Sequence, residues 1–130
     1  MMLSISQAAQ KTGLSVKSIR HYEQIGLLIA PQRSDNNYRY YPEKLIKHLH
    51  FIKRTKDAGF TLKESKALLL LYENKSRSSA DVKAIAQQKI EELQERIDQQ
   101  QALLRSLKEI FDLCHGDEHS DCAIIDAFVK

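Results

Sequence analysis

Cysteine, proline and glycine are all scarce in this 130-residue chain, which has 2 Cys, 2 Pro, 4 Gly and no Trp. Two cysteines cannot build the several bridges that hold small secreted domains together. Four glycines leave no glycine-rich loop to cradle a phosphate, and neither a nucleophile–base pair nor an acid–base carboxylate pair stands out, so the chain is expected not to be an enzyme. No apolar run approaches the ~18 residues that a membrane span needs. The start Met-Met-Leu-Ser-Ile-Ser-Gln lacks the basic and apolar regions of a signal peptide. The expectation is a cytoplasmic protein with reduced thiols and no membrane partner.

Charge, by contrast, is plentiful and unevenly placed. Residues 1–66 carry 12 Lys and Arg against 5 Asp and Glu, net +7, whereas residues 67–130 carry 8 against 12, net −4. A basic front half points to a polyanionic partner that the acidic rear half would repel.

In the front half, residues 4–11 read as a short amphipathic helix capped by Ser4. Thr12-Gly13-Leu14-Ser15 reads as a turn whose Ser15 caps a second helix from Val16 to about Gln24. Two short helices about a glycine turn are a helix-turn-helix candidate, with Ala8, Ala9, Leu14, Val16 and Ile19 inward and Lys17, Ser18, Arg20 and His21 outward. Residues 26–31 then read as a turn and a short strand. Arg33 to Tyr41 read as a hairpin whose Asp35-Asn36-Asn37 tip tolerates positive φ. A second helix pair follows, from Pro42 to about Ala58 and from Leu62 to about Tyr72, with Thr61 as the cap of the latter.

The rear half reads as one long helix from Ser79 or Ala80. Ala86, Ile90, Leu93, Ile97, Gln100, Leu104, Leu107, Phe111 and Cys114 step alternately by four and three, a heptad seam interrupted once by Gln100. Such a helix is roughly 50 Å long at 1.5 Å per residue, too long for its small head to cover, so a dimeric coiled coil is expected. A short apolar helix, from Ala123 to Val129, comes last.

Two groups of residues carry chemistry. Lys17, Arg20 and His21 are long donors suited to base edges and phosphates, with Tyr22 in reach of a phosphate oxygen. Arg33, Tyr38 and Arg39 in the hairpin suit the DNA backbone, and Lys53, Arg54 and Lys56 extend the basic track. The second group is Cys114 and Cys122, which flank a seven-residue loop and read as a two-thiolate clamp for a soft ion. Two thiolates satisfy a monovalent d10 ion, and their pair with a +1 ion leaves one negative charge for nearby amide dipoles to offset. A Cys2His2 zinc set with His115 and His119 remains open by count. A DNA reader joined to a metal sensor implies a metal-responsive transcription regulator.

Taken in order, the helix-turn-helix, His21-Tyr22-Glu23-Gln24-Ile25-Gly26-Leu27-Leu28, the wing Arg33…Tyr38-Arg39-Tyr40-Tyr41, Ala58-Gly59-Phe60 and the heptad helix resemble the MerR family of winged-helix regulators across essentially the whole chain. The rear, with Ser79-Ala80-Asp81-Val82-Lys83 and Cys114-x7-Cys122, is similar to the copper-efflux-regulator (CueR) subgroup. The resemblance implies a mainly α fold: a winged helix-turn-helix domain with its second helix pair over residues 1–75, an antiparallel coiled-coil dimerisation helix over 79–113, and a metal-binding loop with a short helix over 114–130. It also implies a homodimer on double-stranded promoter DNA that activates RNA polymerase by distorting the DNA. The effector would be Cu(I), or Ag(I) or Au(I), held by Cys114 and Cys122. By the same resemblance Ser79 would be the selectivity residue, supplied by the dimer partner at a position that is Cys in regulators of divalent ions. The alternatives are a Zn(II) or Hg(II) regulator of the same family and a cytosolic copper buffer.

Overall fold

The structure, a computed structural model, describes residues 2–31 and 38–129. It divides into two compact units, Met1–Ala86 and Gln87–Lys130. The division falls inside the long helix.

In the first unit the elements are β1 (Leu3–Ser4), α1 (Ile5–Thr12), α2 (Val16–Gln24), β2 (Tyr40–Tyr41), α3 (Glu43–Asp57), α4 (Leu62–Glu73) and the start of α5 (Ser79–Leu113). The expected caps are the observed ones. Ser4 accepts from the Gln7 amide while the Gln7 side chain accepts from the Ser4 amide, a reciprocal capping box. Ser15 caps α2 through the Ser18 amide at 3.0 Å, and Thr61 and Glu64 form a second box at the start of α4. Between α1 and α2, Gly13 takes φ 80, a left-handed value that a side chain disfavours, and its amide closes α1 on the Ala9 carbonyl.

One reading of the segment after α2 needs correction. Residues 26–31 form no strand. The amides of Leu27 and Leu28 both donate to the Tyr22 carbonyl, at 2.9 and 3.1 Å, which folds the chain back over the end of α2 and buries both leucines. Apolar neighbours here mark a turn driven into the core, not a strand face. The tip of the expected hairpin, with Arg33, lies outside the described residues. Its return arm, Tyr40–Tyr41, pairs antiparallel with Leu3–Ser4, Leu3 opposite Tyr41 and Ser4 opposite Tyr40. The period-2 alternation of a strand then sends Tyr41 into the core at 0% exposure and leaves Tyr40 half-buried.

Ala8, Ile19, Tyr22, Leu28, Tyr41, Leu49 and Ile52 form the centre of one apolar cluster drawn from α1, α2, the turn after α2, β2 and α3, with Leu69 from α4. Ile19 and Tyr22 are three apart on α2 and share its inner face, so the helix is seated by that pair and presents its opposite side. On α3, the hydroxyl of Thr55 lies 2.8 Å from that of Ser65 on α4, a part-buried polar link between the members of the second helix pair.

The second unit holds the remainder of α5 and α6 (Ala123–Val129). Ile90, Ile97, Leu104, Leu107 and Phe111 of the heptad seam are 49–66% exposed within the single chain. An apolar stripe of this size marks an association surface. Among the described residues no helix is long and apolar enough to cross a membrane.

Candidate nucleic-acid interface and metal centre

α2 carries the expected donors on its outer face: Lys17, Arg20 and His21 are all exposed. Tyr22 is not among them. It is 6% exposed and belongs to the core cluster, because its position three residues after Ile19 turns its ring inward. An open cleft of about 820 Å3 is lined by Ser4, Ser6, Arg20, Tyr38, Arg39 and Tyr40, among others. It brings Arg20 of α2 together with the wing residues Tyr38 and Arg39, and Tyr38 is 67% exposed there. Lys17, His21 and Lys56 do not line it. On α3, Arg54 and Lys56 are exposed, whereas Lys53 Nζ pairs with Asp57 at 2.9 Å and its Cε approaches the turn at Gly13.

Arg39 was expected at the DNA backbone. Its Nη1 donates to Oε2 of Glu23, whose side chain is 4% exposed, and the Tyr41 hydroxyl donates to the other Glu23 oxygen. Burial, and then the Glu23 carboxylate, push the Tyr41 hydroxyl above the usual tyrosine range. Glu23 was read as part of a motif and given no role. The signal was present: it is the one acidic residue in the sequence before Asp35.

In the second unit, Cys114 and Cys122 are both free and half-buried, with their sulfurs 3.3 Å apart. One ion held by both at a thiolate–metal distance of ~2.3 Å needs sulfurs no more than about 4.6 Å apart, so the pair fits a shared soft ion. The local structure explains the convergence. Cys114 follows α5 immediately, with its amide bonded to the Phe111 carbonyl at 3.1 Å, and Gly116 at φ 65 turns the chain. Cys122 is the residue that caps α6: its carbonyl takes the Asp126 amide at 3.0 Å. Its sulfur takes amides from the first turn, which together with Cys114 lowers the thiol below its ordinary value, the Ile125 amide contributing most. Among the described residues no three His, Cys, Asp or Glu side chains are grouped to hold one metal ion, so His115 and His119 do not join the sulfurs here.

Ser79 is exposed at the first position of α5, in an open groove of about 800 Å3 that Lys75, Arg77 and Lys83 also line.

A helix-turn-helix with an outward cationic face defines a DNA-binding regulator. The profile of the MerR HTH family regulatory proteins matches residues 3–71, and the profile described as MerR, DNA binding, matches residues 46–110. The chain is 41% identical over 124 residues to heavy metal-dependent transcription regulator 2 of Rhizobium meliloti (strain 1021), covering 95% of this chain and 84% of that protein. It is 41% identical over 125 residues to the HTH-type transcriptional regulator CueR of Yersinia pestis, covering 96% and 90%. Its fold superposes on the transcription regulator PbrR691 from Ralstonia metallidurans CH34 in complex with lead(II) with a TM-score of 0.86, at 29% identity over 98% of this chain and 99% of that one. The chain belongs to the MerR family and is a metal-responsive, DNA-binding transcription regulator, not an enzyme.

Proposed function

We propose that this regulator is a cytoplasmic homodimer that senses a monovalent soft ion, Cu(I) or its congeners Ag(I) and Au(I), through Cys114 and Cys122 and activates efflux or detoxification promoters for RNA polymerase. The observation that carries the reading is the pair of half-buried sulfurs 3.3 Å apart with no third ligand grouped beside them among the described residues. Two thiolates are a sufficient set for a soft d10 cation of single charge, whereas Zn(II) seeks four donors. Ser79 supports the same choice by resemblance, since a partner's serine adds no third thiolate. Likeness to CueR supports copper.

Binding at the loop supplies free energy that differs between two conformations of the dimer. The residues that meet DNA are Lys17, Arg20 and His21 on α2 and Tyr38 in the wing, with Arg33 beyond the described segment and Lys56 on the neighbouring α3. The exposed stripe of α5, from Ile90 to Phe111, is the surface two protomers bury as an antiparallel coiled coil. Bending and untwisting the operator costs ~1–6 kcal/mol on elastic estimates, offset by contacts the loaded form makes better.

A divalent reading, Zn(II) or Hg(II), is favoured by the likeness to a lead(II)-bound relative. Titration of the reduced protein with Cu(I), Ag(I) and Zn(II), with X-ray absorption on each loaded form, decides between the monovalent ions and Zn(II). Two sulfur neighbours for the monovalent ions with weak Zn(II) binding is the expected result. Tight Zn(II) binding with mixed nitrogen and sulfur neighbours overturns it. Cys114→Ser with Cys122→Ser is expected to abolish metal-dependent transcription while leaving DNA binding in place.

A further inference from the structure

An acidic side chain in the last turn of a helix that faces a polyanion is out of place unless something holds it. Glu23 is held completely. Its side chain is 4% exposed, and its two oxygens are engaged by two residues from one short segment, Arg39 and Tyr41. Those residues flank Tyr40 on the chain that leads from the wing into β2, and Tyr41 is locked in register opposite Leu3. The carboxylate thus spans 16 and 18 residues of sequence to join the end of α2 to the root of the wing.

We propose that Glu23 is a positioning residue for DNA recognition, setting the wing root against α2, and that Arg39 acts as its counter-ion and not as a phosphate ligand. Two consequences follow from charge. A guanidinium neutralised by a buried carboxylate releases no counter-ion when DNA binds, so Arg39 does not enter the salt dependence of affinity. Removing the Glu23 charge while keeping its shape frees one cation beside the cleft that Arg20 and Tyr38 line. That cation then binds phosphate without regard to sequence.

The test uses the full-length protein, a duplex selected with it from a random library, and a scrambled duplex of the same composition. Affinity for each is measured by fluorescence anisotropy over a range of KCl concentrations, with a thermal melt on every variant. Arg39→Gln is expected to weaken selected-duplex binding while leaving the slope of log affinity against log salt within about 0.5 of the parent, less than the ~0.9 expected for one phosphate contact. Glu23→Gln is expected to steepen that slope by about 0.9 per protomer on both duplexes and to lower the preference for the selected duplex roughly tenfold. Glu23→Gln combined with Arg39→Gln is expected to restore the parental slope but not the preference, a pattern that simple loss of stability does not produce.

The proposal is overturned if Arg39→Gln alone flattens the slope by about 0.9 per protomer, or if Glu23→Gln leaves the preference unchanged. Should Glu23→Gln fail to fold, Tyr41→Phe keeps the buried ring and removes one hydrogen bond to the carboxylate. It is expected to lower the preference several-fold at unchanged slope, and a parental preference in that variant also overturns the proposal.

Discussion

Ile19 is the residue on which the seating of α2 is most directly tested. It is 0% exposed and shares the central cluster with Ala8, Tyr22, Leu49 and Ile52. Ile19→Ala removes three carbons, about 2.4 kcal/mol of transfer free energy at ~0.8 kcal/mol per methylene. A cavity that does not collapse adds up to about 2 kcal/mol more, for a total of about 3–4 kcal/mol. In a domain of this size each kcal/mol lowers Tm by about 4–8 °C, so a fall of roughly 12–30 °C is expected. Ile19→Val removes one carbon and is expected to cost about 1 kcal/mol and ~4–8 °C. Thermal melts by circular dichroism measure both, and DNA anisotropy at 10 °C measures function. Because Ile19 faces away from DNA, the valine variant keeps parental affinity in the cold and loses it only near its own midpoint. Melting temperatures within about 3 °C of the parent for both variants, or cold DNA affinity lost by the valine variant, would refute the inward seating of α2.

Three further outcomes are expected. Arg20→Gln removes an exposed cation from the cleft beside the wing and should flatten the salt slope of DNA binding by about 0.9 per protomer; an unchanged slope in anisotropy titrations removes Arg20 from the phosphate track. His48 is held below its usual value by burial, reinforced by Lys44 and opposed by Glu73, so the unfolded chain takes up its proton first as pH falls. Stability is therefore full above the unfolded value of ~6.5 and declines as pH drops from there toward the lower folded value; the urea midpoint between pH 8 and 5.5 should show this decline, and His48→Gln should reduce it. Cys122 should react with iodoacetamide with a pH midpoint below the ordinary thiol value, because the α6 amides and Cys114 favour its thiolate. Cys114→Ser should raise that midpoint part of the way back, and no movement would assign the whole effect to the helix amides.

The elements that were legible in the chain are those decided within a few residues. Ser4, Ser15 and Thr61 cap helices because each side chain reaches an amide three positions on, and a reader of the sequence sees both partners together. The long helix and its seam are legible because a period of four and three persists from Ala86 to Cys114. The thiol pair was legible for a related reason, as eight positions separate the two cysteines and a helix end lies on either side. Residues 27 and 28 misled because adjacent leucines serve a strand or a buried turn equally well. Tyr22 is buried beside Ile19, three residues earlier on the same face of α2, a spacing that was visible in the chain.

What the sequence determined by itself was therefore the local inventory: helices and their caps, the outward cations of α2, the heptad stripe and the two thiols. Tertiary structure alone decided the pairing of Leu3–Ser4 with Tyr40–Tyr41, the burial of Tyr41 and the capture of Arg39 by Glu23. The physical reason is the same in each case. A hydrogen bond between residues far apart in sequence leaves no periodic trace, and a buried carboxylate is tolerable only where the fold delivers donors to both of its oxygens.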